Sequence, residues 1–182
     1  MKILILLANG FEETEAIVPA DVLRRAGADV RLVSVESAKE VTGSHGIKVA
    51  ADALITEADG KGIAALVLPG GGPGTERLAA SPEVKGLIEL AVKEGAYICA
   101  ICAAPSVLGR MGLLDGRKFA CYPGFEKYMP QAVKTGKRVE TDGKFITAEC
   151  MGVSMEFALK ISEILFGTEK REEVEGKING KS

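Results

Sequence analysis

The sequence is poor in aromatic residues and has no excess of either charge. It contains no Trp, three Tyr and six Phe, and its 23 basic and 25 acidic residues leave a formal net charge of −2. Few aromatic side chains offer little surface for stacking bases, and no basic excess is present to neutralise phosphates. We therefore expect no nucleic-acid partner.

Long hydrophobic runs are also lacking. No apolar stretch reaches the roughly 18 residues that a membrane-spanning helix needs. The apolar run after Met1-Lys2 has no small-residue cleavage site of the kind that follows a secretory leader. These features predict a cytoplasmic protein with no membrane partner. In that reducing compartment we expect the cysteines to be free thiols; they are Cys99, Cys102, Cys121 and Cys150.

A single histidine, His45, limits both metal binding and acid–base catalysis. Cys99 and Cys102 have the C-x-x-C spacing, but no second cysteine pair completes a zinc site. The glycine-rich segment 70–75 lacks the Gly-Lys-Ser/Thr ending of a phosphate-binding loop. A Cys-His protease or amidase needs an imidazole beside its nucleophile, whereas Ala103 follows Cys102. The sequence therefore predicts no metal and no cofactor, and it disfavours proteolysis.

Length and hydrophobic pattern predict one α/β domain over residues 1–182. Continuous apolar runs, typical of parallel strands covered on both faces, alternate with helical patterns. This alternation predicts a layered sandwich with a mostly parallel sheet. The predicted strands are 2–7, 29–35, 64–68, 97–101 and 118–121, with short β segments in 41–50 and a hairpin over 138–147. The predicted helices cover about 16–26, 82–94, 102–111, 154–166 and 168–177.

Three marked loops follow the predicted strands, at residues 9–15, 69–74 and 102–105. In parallel α/β sheets, ligands bind at the carboxyl ends of the strands. We therefore expect these three loops to meet and to form the functional site.

Cys102 is the candidate nucleophile, because it lies where a buried strand turns into a helix. Free amides at a helix N-terminus favour a thiolate, so the sequence predicts a thiol more acidic than usual. The N–H of Ala103 and an amide of the glycine-rich loop are placed to hold an oxyanion. A buried structural cysteine is the alternative, and the residue pattern alone leaves both open.

Glu15 is the candidate acid. Glu12 and Glu13, which precede it, are explained by the favourable helix dipole. Glu15 comes directly before the apolar Ala16-Ile17 pair, so we expect it to point inward. Burial there raises the pKa of a carboxyl and allows it to give a proton to the sulfur.

These motifs together resemble the ThiJ/PfpI superfamily, in particular its small branch of the parkinsonism-associated deglycase and bacterial ThiJ-like proteins. The resemblance rests on residues 8–15 (Ala-Asn-Gly-Phe-Glu-Glu-Thr-Glu), 19–22 (Pro-Ala-Asp-Val), 68–71 (Leu-Pro-Gly-Gly) and 100–105 (Ala-Ile-Cys-Ala-Ala-Pro). It extends over nearly the whole chain. It implies a three-layer flavodoxin-like sandwich, related to class I glutamine amidotransferase domains, with a nucleophile elbow, and usually a homodimer.

By position, the resemblance implies a role for each site residue. Cys102 matches the elbow nucleophile, and Glu15 matches the carboxylic acid that bonds to its sulfur. Gly71 and Ala103 match the amides of the oxyanion hole. Basic residues near the pocket, across the dimer interface, correspond to Arg25 and His45. Further pocket candidates are Asn9, Gly72, Tyr122, Cys150 and Met151.

Two departures from the family pattern concern the pocket. Some relatives carry a histidine where this chain has Tyr122, so the resemblance leaves a Cys-Glu pair instead of a Cys-His pair. The segment 149–152 (Glu-Cys-Met-Gly) replaces a more usual Gly-Pro-Gly pattern. It adds the thiol of Cys150 and the thioether of Met151.

The resemblance implies a cofactor-independent enzyme of the glyoxalase or deglycase type, which converts small carbonyls such as methylglyoxal to 2-hydroxy acids in stress protection. One alternative is a redox-sensing or chaperone-like stress protein that uses an oxidisable Cys102. Another is an isonitrile hydratase or an amidase-type hydrolase with the same thiol.

Overall fold

Most of the buried apolar runs become strands of one central sheet. The structure, a computed structural model, describes residues 1–181. Its strands are β1 (Lys2–Leu7), β2 (Asp29–Ser34), β3 (Glu40–Thr42), β4 (Lys48–Ala50), β5 (Ala53–Leu54), β6 (Ile63–Leu68), β7 (Tyr97–Ile101), β8 (Lys118–Phe119), β9 (Val133–Lys134), β10 (Val139–Asp142) and β11 (Phe145–Ala148). Its α-helices are α1 (Glu13–Arg25), α2 (Gly72–Ala80), α3 (Pro82–Lys93), α4 (Pro105–Arg110), α5 (Ser154–Phe166) and α6 (Thr168–Ile178).

The main sheet has the strand order β10-β11-β7-β6-β1-β2-β5. Its pairings are parallel except for the antiparallel hairpin of β10 and β11. Outside this sheet, β3 and β4 form a separate antiparallel ribbon, as the turn-rich segment 41–50 predicts. The mostly parallel sheet and both hairpins confirm the sequence prediction.

Helices cover both faces of the sheet, because successive side chains of a strand point to opposite sides. In β1, Leu4 and Leu6 pack in the layer with α2, α3 and α4. Ile3, Ile5 and Leu7 pack in the other layer, with α1 and α5. This confirms the three-layer flavodoxin-like sandwich. None of the helices within residues 1–181 is both long and apolar enough to cross a bilayer.

The structure corrects the sequence prediction in three elements. Helix α2 was expected to be part of a loop, because its start is rich in glycine, but Pro73 suits a first helical turn. The helix expected from residue 102 begins only at Pro105. The strand expected over 118–121 ends at Phe119, because the amide of Ala120 donates to the side chain of Thr147 at 2.9 Å.

Candidate active site

The carboxyl ends of β1, β6 and β7 lie side by side at one edge of the sheet. Hydrogen bonds join the loops that follow β1 and β6. The amide of Glu12 donates to the carbonyl of Gly70 at 3.0 Å, and that of Gly74 to the carbonyl of Gly10 at 3.2 Å. The predicted meeting of the three loops is therefore confirmed, and it puts their side chains within one site.

Cys102 occupies a strained turn at the end of β7. Its φ of 64° makes it the single non-glycine residue with positive φ among residues 1–181. Such a conformation is uncommon for an L-residue and persists only where the surroundings fix it. Here the Cys102 amide donates to the carbonyl of Ala148 at 2.9 Å, and its carbonyl accepts from Tyr122 at 2.8 Å. These bonds hold the half-buried thiol out of the sheet.

Two backbone amides face the sulfur of Cys102. They belong to Ala103 and Gly71, and both favour a negative charge on that sulfur. A Cβ at position 71 would lie 2.3 Å from the carbonyl oxygen of Gly10, and the residue has a φ of 87°. Only glycine can therefore bring its amide to this position. Converging amides of this kind also stabilise an oxyanion next to the sulfur.

Glu15 lies in the first turn of α1, and its side chain is completely buried. Oε2 accepts a hydrogen bond from the amide of Gly70 at 2.8 Å. Oε1 is buried and has no hydrogen-bond partner of normal geometry within the described residues. Gly70 lies between Glu15 and Cys102, because a Cβ on it would lie 2.6 Å from Glu15 Oε2 and 2.8 Å from Cys102 Cβ. The carboxyl and the thiol are therefore neighbours across a glycine.

Burial raises the pKa of Glu15 to about 7, and the nearby charge of Glu12 adds to this effect. The Gly70 amide and the Cys102 thiol act in the opposite direction, because both interact favourably with the carboxylate. A carboxyl with a pKa near neutrality can both give and accept a proton under physiological conditions. Glu15 is therefore suited to acid–base work at the sulfur.

The prediction of an unusually acidic Cys102 was wrong. Burial raises the pKa of Cys102, and the negative charge of Glu15 raises it further, whereas the amides of Ala103 and Gly71 lower it. The prediction depended on the dipole of a helix that begins at the cysteine. Helix α4 begins later, at Pro105, and has only six residues.

The thiol and the carboxyl titrate as a coupled pair, and the charge on one controls the proton on the other. When Glu15 keeps its proton, no like charge opposes the thiolate, and the carboxyl can donate to the sulfur. Transfer of the thiol proton from Cys102 to Glu15 thus gives a nucleophile and an acid at the same time.

Other pocket candidates have different surroundings. The Oδ1 atom of Asn9 accepts from the amide of Thr42 at 2.9 Å, so this side chain holds the β3–β4 ribbon against the end of β1. Tyr122 and Met151 are exposed, and the Tyr122 ring packs edge-on against Phe125. Cys150 is half-buried and packs against the same apolar layer as Cys102. Gly72 opens α2, beside Gly71.

Arg25 and His45 do not reach Cys102 within this chain. Arg25 pairs with Asp21 at 2.7 Å near the end of α1, ten residues or roughly 15 Å beyond Glu15. His45 is exposed on the turn of the β3–β4 ribbon, with its Nδ1 atom 3.0 Å from Glu13 Oε2. Their contribution across a dimer interface stays a prediction.

The sequence analysis explained Glu13 only by its favourable interaction with the helix dipole, and it missed the role of this residue in holding the β3–β4 ribbon. Glu13 is buried and accepts from the amide of His45 at 2.7 Å. Burial opposes its ionisation, but hydrogen bonds from His45, from its own amide and from Ile47 lower the pKa of Glu13 to about 2. The signal in the sequence is Gly43, because a Cβ there would lie 2.3 Å from the Glu13 carboxyl.

Glu12, Glu13 and His45 also form a cluster of metal-ligand type. One ligand atom from each lies within 4.8 Å of the others. The prediction of no metal considered only cysteine and histidine, so it did not anticipate this group. Its members already have hydrogen-bond partners, since Ser44 Oγ donates to Glu12 at 3.2 Å and Glu13 faces His45.

A separate cleft of about 550 Å³ lies between β10 and helices α5 and α6, away from Cys102. Its charged side chains pair with one another, as in Arg138–Glu156 at 2.8 Å and Arg171–Glu175 at 3.1 Å. This cleft therefore offers no unpaired group comparable to the Cys102 and Glu15 pair.

Comparison with known proteins agrees with this geometry. The chain is 42% identical over 177 residues to protein DJ-1 homolog B of Arabidopsis thaliana, a match that covers 96% of this chain and 40% of that protein. It is 35% identical to glutathione-independent glyoxalase DJR-1.2 of Caenorhabditis elegans, covering 92% of this chain and 90% of the relative. The first of these relatives is thus more than twice as long as the matched segment.

Among solved structures, that of oxidized Toxoplasma gondii DJ-1 superposes with a TM-score of 0.94 at 36% identity, covering 98% of this chain and 97% of the other. The DJ-1/PfpI family pattern matches residues 1–164, which include all three loops of the site. With its elbow cysteine, its buried glutamate and these similarities, the chain belongs to the DJ-1/PfpI family.

Proposed function

We propose that this protein is a cysteine-dependent enzyme of the glyoxalase or deglycase type, which acts on small reactive carbonyls without a cofactor. The observation that carries the proposal is the buried carboxyl of Glu15, with a pKa of about 7, next to the Cys102 thiol. A relative named glutathione-independent glyoxalase supports this class of substrate. Methylglyoxal is the substrate on which we write the reaction.

The first step is addition of the thiolate to the aldehyde. Glu15 accepts the thiol proton of Cys102 as the sulfur forms a C–S bond to the aldehyde carbon. The carbonyl π electrons move to oxygen, and the amides of Gly71 and Ala103 stabilise that oxyanion. Protonation of the oxyanion gives a hemithioacetal and leaves Glu15 as a carboxylate.

The second step moves a hydrogen between neighbouring carbons. The Glu15 carboxylate removes the proton from the carbon bonded to sulfur, and the electron pair forms an enediolate with its charge on the former ketone oxygen. The hydroxyl proton of the sulfur-bearing carbon passes to that oxygen, and Glu15 returns its proton to the adjacent carbon, which gives a thioester of a 2-hydroxy acid. Water then cleaves the C–S bond, which releases lactate and restores the Cys102 thiol. Methylglyoxal and one water thus become lactate, with no external oxidant or reductant.

The test is lactate formation from methylglyoxal by the wild type, Cys102→Ser and Glu15→Gln. We expect Cys102→Ser to lose at least ~1,000-fold in kcat/KM, because a hydroxyl of ordinary pKa replaces the nucleophile. We expect Glu15→Gln to lose ~100-fold or more in kcat, the usual contribution of a general acid–base group.

Two control variants separate this effect from a general disturbance. Cys121→Ala removes a buried thiol that packs in the opposite layer of the sandwich from Cys102, and Glu83→Gln removes an exposed carboxylate whose partner is Ser81. Both should stay within a few-fold of the wild type. Equal rates of lactate formation for Cys102→Ser, Glu15→Gln and the wild type would refute the mechanism.

A redox role is the second candidate, and one feature favours it. The amides of Gly71 and Ala103, which face the sulfur, are equally suited to hold oxygen atoms added to Cys102. An amidase-type reaction has less support, because His45 is engaged by Glu13 on the protein surface.

A further inference from the structure

The two half-buried cysteines of this chain lie at the ends of adjacent parallel strands. In the register of β7 and β11, Ile101 lies opposite Ala148. Cys102 follows that pair by one residue and donates its amide to the carbonyl of Ala148 at 2.9 Å. Cys150 follows the pair by two. For ideal strands ~4.8 Å apart with a rise of ~3.3 Å per residue, an offset of one residue corresponds to a Cα separation of about 6 Å, which is within the disulfide range.

The two side chains also face the same layer of the sandwich. On β11, alternation directs Ile146 and Ala148 toward α1 and α5, and Cys150, two residues further, packs there too. On β7, Ala100 packs in the opposite layer, and an extended Cys102 would follow it. The positive φ of Cys102 reverses this direction, so its side chain packs with Cys150 against the α1 and α5 layer.

The remaining two cysteines are less suited to react. Cys99 is wholly enclosed in the core of β7, and Cys121 is also fully buried. Cys102 and Cys150 are partly exposed, and all four are free thiols in this structure. Among the possible disulfides, only the one between Cys102 and Cys150 joins two partly exposed thiols.

We propose that Cys150 is a resolving thiol, which forms a reversible disulfide with Cys102 after a peroxide has oxidised that residue. Cys102 gives its proton to Glu15, and the thiolate attacks one peroxide oxygen. The O–O bond breaks, the leaving oxygen takes the proton from Glu15 and departs as water or an alcohol, and Cys102 becomes a sulfenic acid. The sulfur of Cys150 then attacks the sulfur of Cys102, the S–O bond breaks, and the hydroxyl leaves as water with the proton of Cys150. The thiol pair loses two electrons, and the peroxide gains them.

The disulfide has two consequences for the site. It removes the nucleophile on which the proposed carbonyl chemistry depends, until a dithiol reduces it. It also protects Cys102 from further oxidation to the sulfinic acid, which thiols cannot reverse. This inference shares Cys102 with the proposed function, but it does not require turnover of a carbonyl.

The experiment treats the full chain with a small excess of hydrogen peroxide at pH 7, blocks remaining thiols by alkylation, and measures intact mass and non-reduced tryptic peptides. We expect wild type to lose two hydrogens and to yield peptide 94–110 joined to peptide 145–160. Fragmentation assigns the link to Cys102 and not to Cys99. Dithiothreitol should separate the two peptides and restore the free thiols.

Two variants complete the test. Cys150→Ser should form no such link and should accumulate sulfinic acid on Cys102 at least tenfold faster than the wild type. Cys121→Ala should behave as the wild type does. Sulfinic acid on wild-type Cys102 without a link, or a link to peptide 119–127, which contains Cys121, would overturn the proposal. Mass spectrometry detects the Cys102–Cys150 link whether or not the protein turns over a carbonyl. A protein that forms the link but makes no lactate would therefore refute the proposed function and leave the disulfide proposal intact.

Discussion

Among single residues, Gly70 sets the spacing of the site by having no side chain. A Cβ there would lie 2.6 Å from Glu15 Oε2, 2.8 Å from Cys102 Cβ and 2.9 Å from the carbonyl oxygen of Ile101. Contacts this short force some atom to move. Because two of the three atoms belong to the acid and the nucleophile, the movement would separate the carboxyl from the sulfur.

We therefore expect Gly70→Ala to lower kcat/KM for methylglyoxal at least 100-fold, with a loss of about 1–3 kcal/mol in the free energy of unfolding from overpacking. Lactate formation and urea unfolding measure the two effects. Gly86→Ala is the matched control, because a Cβ on this residue of α3 meets no atom within 4 Å. A folded Gly70→Ala enzyme with full activity would contradict this account of the spacing.

The positions of Cys102 and Glu15 could be predicted from sequence, because each comes shortly after an apolar strand in a parallel fold. The raised pKa of Glu15 could also be predicted, from its expected burial. The raised pKa of Cys102 could not, because it depends on the burial of the thiol, on its distance from Glu15 and on the exact start of α4.

Between elements, Glu13 fastens the β3–β4 ribbon to the start of α1. Its Oε1 atom accepts from the amides of His45 at 2.7 Å and Ile47 at 3.4 Å, and its Oε2 atom lies 3.0 Å from the His45 ring. The ribbon also bonds to the loop after β1, since the amide of Gly10 donates to Thr42 at 2.8 Å. The buried carboxylate of Glu13 thus holds the turn of the ribbon in place, although residues 44–48 of that turn are exposed.

This arrangement makes the contribution of Glu13 dependent on pH. Its pKa is lowered to about 2 from an ordinary 4.5, so the stabilisation is present above pH 4.5 and is lost as the pH falls toward 2. We expect Glu13→Gln to lower the free energy of unfolding by about 1–3 kcal/mol at pH 7. In urea unfolding, the difference from wild type should be nearly the same at pH 5 as at pH 7 and clearly smaller at pH 3.

Glu83→Gln is the control for this prediction. Glu83 also lies in the first turn of a helix, α3, but it is exposed and its partner is the nearby Ser81. Its removal should change stability much less than removal of Glu13 does. A Glu13 effect that is equally large at pH 3 and pH 7 would show that the ionised carboxylate is not what holds the ribbon.

Elements with strong hydrophobic patterns could be predicted from sequence, whereas those set by local backbone geometry could not. Strands β1 and β7 and helix α5 match their predicted bounds, because each is a long apolar run with a clear end. Helix α2 was missed, because its first turn contains the glycines that the site requires. The start of α4 was misplaced, because the left-handed turn at Cys102 has no marker in residue type.

On the scale of the whole molecule, two exposed apolar side chains lie on the elements that Glu13 joins, Ile17 on α1 and Ile47 on the turn of the β3–β4 ribbon. Ile17 is 41% exposed and Ile47 is 57% exposed. Glu13 accepts from the amide of Ile47 and precedes Ile17 by one helical turn. Contiguous apolar patches at the surface are typical of contact surfaces between proteins. His45 lies on the same ribbon, so this surface is the one on which the predicted homodimer would place it.

We expect wild type to have twice the monomer mass of 19.1 kDa by light scattering, and Ile47→Asp to have the monomer mass with an unchanged circular dichroism spectrum. A buried, unpaired carboxylate at an interface is costly, so the substitution favours separated chains. Val92→Asp is the control, because Val92 is 37% exposed on α3, on the opposite face of the sheet, and should leave the dimer intact. A wild-type mass of 19.1 kDa would contradict the dimer. A monomeric Ile47→Asp protein with full lactate formation would show that Arg25 and His45 of one copy have no role in the pocket of the other.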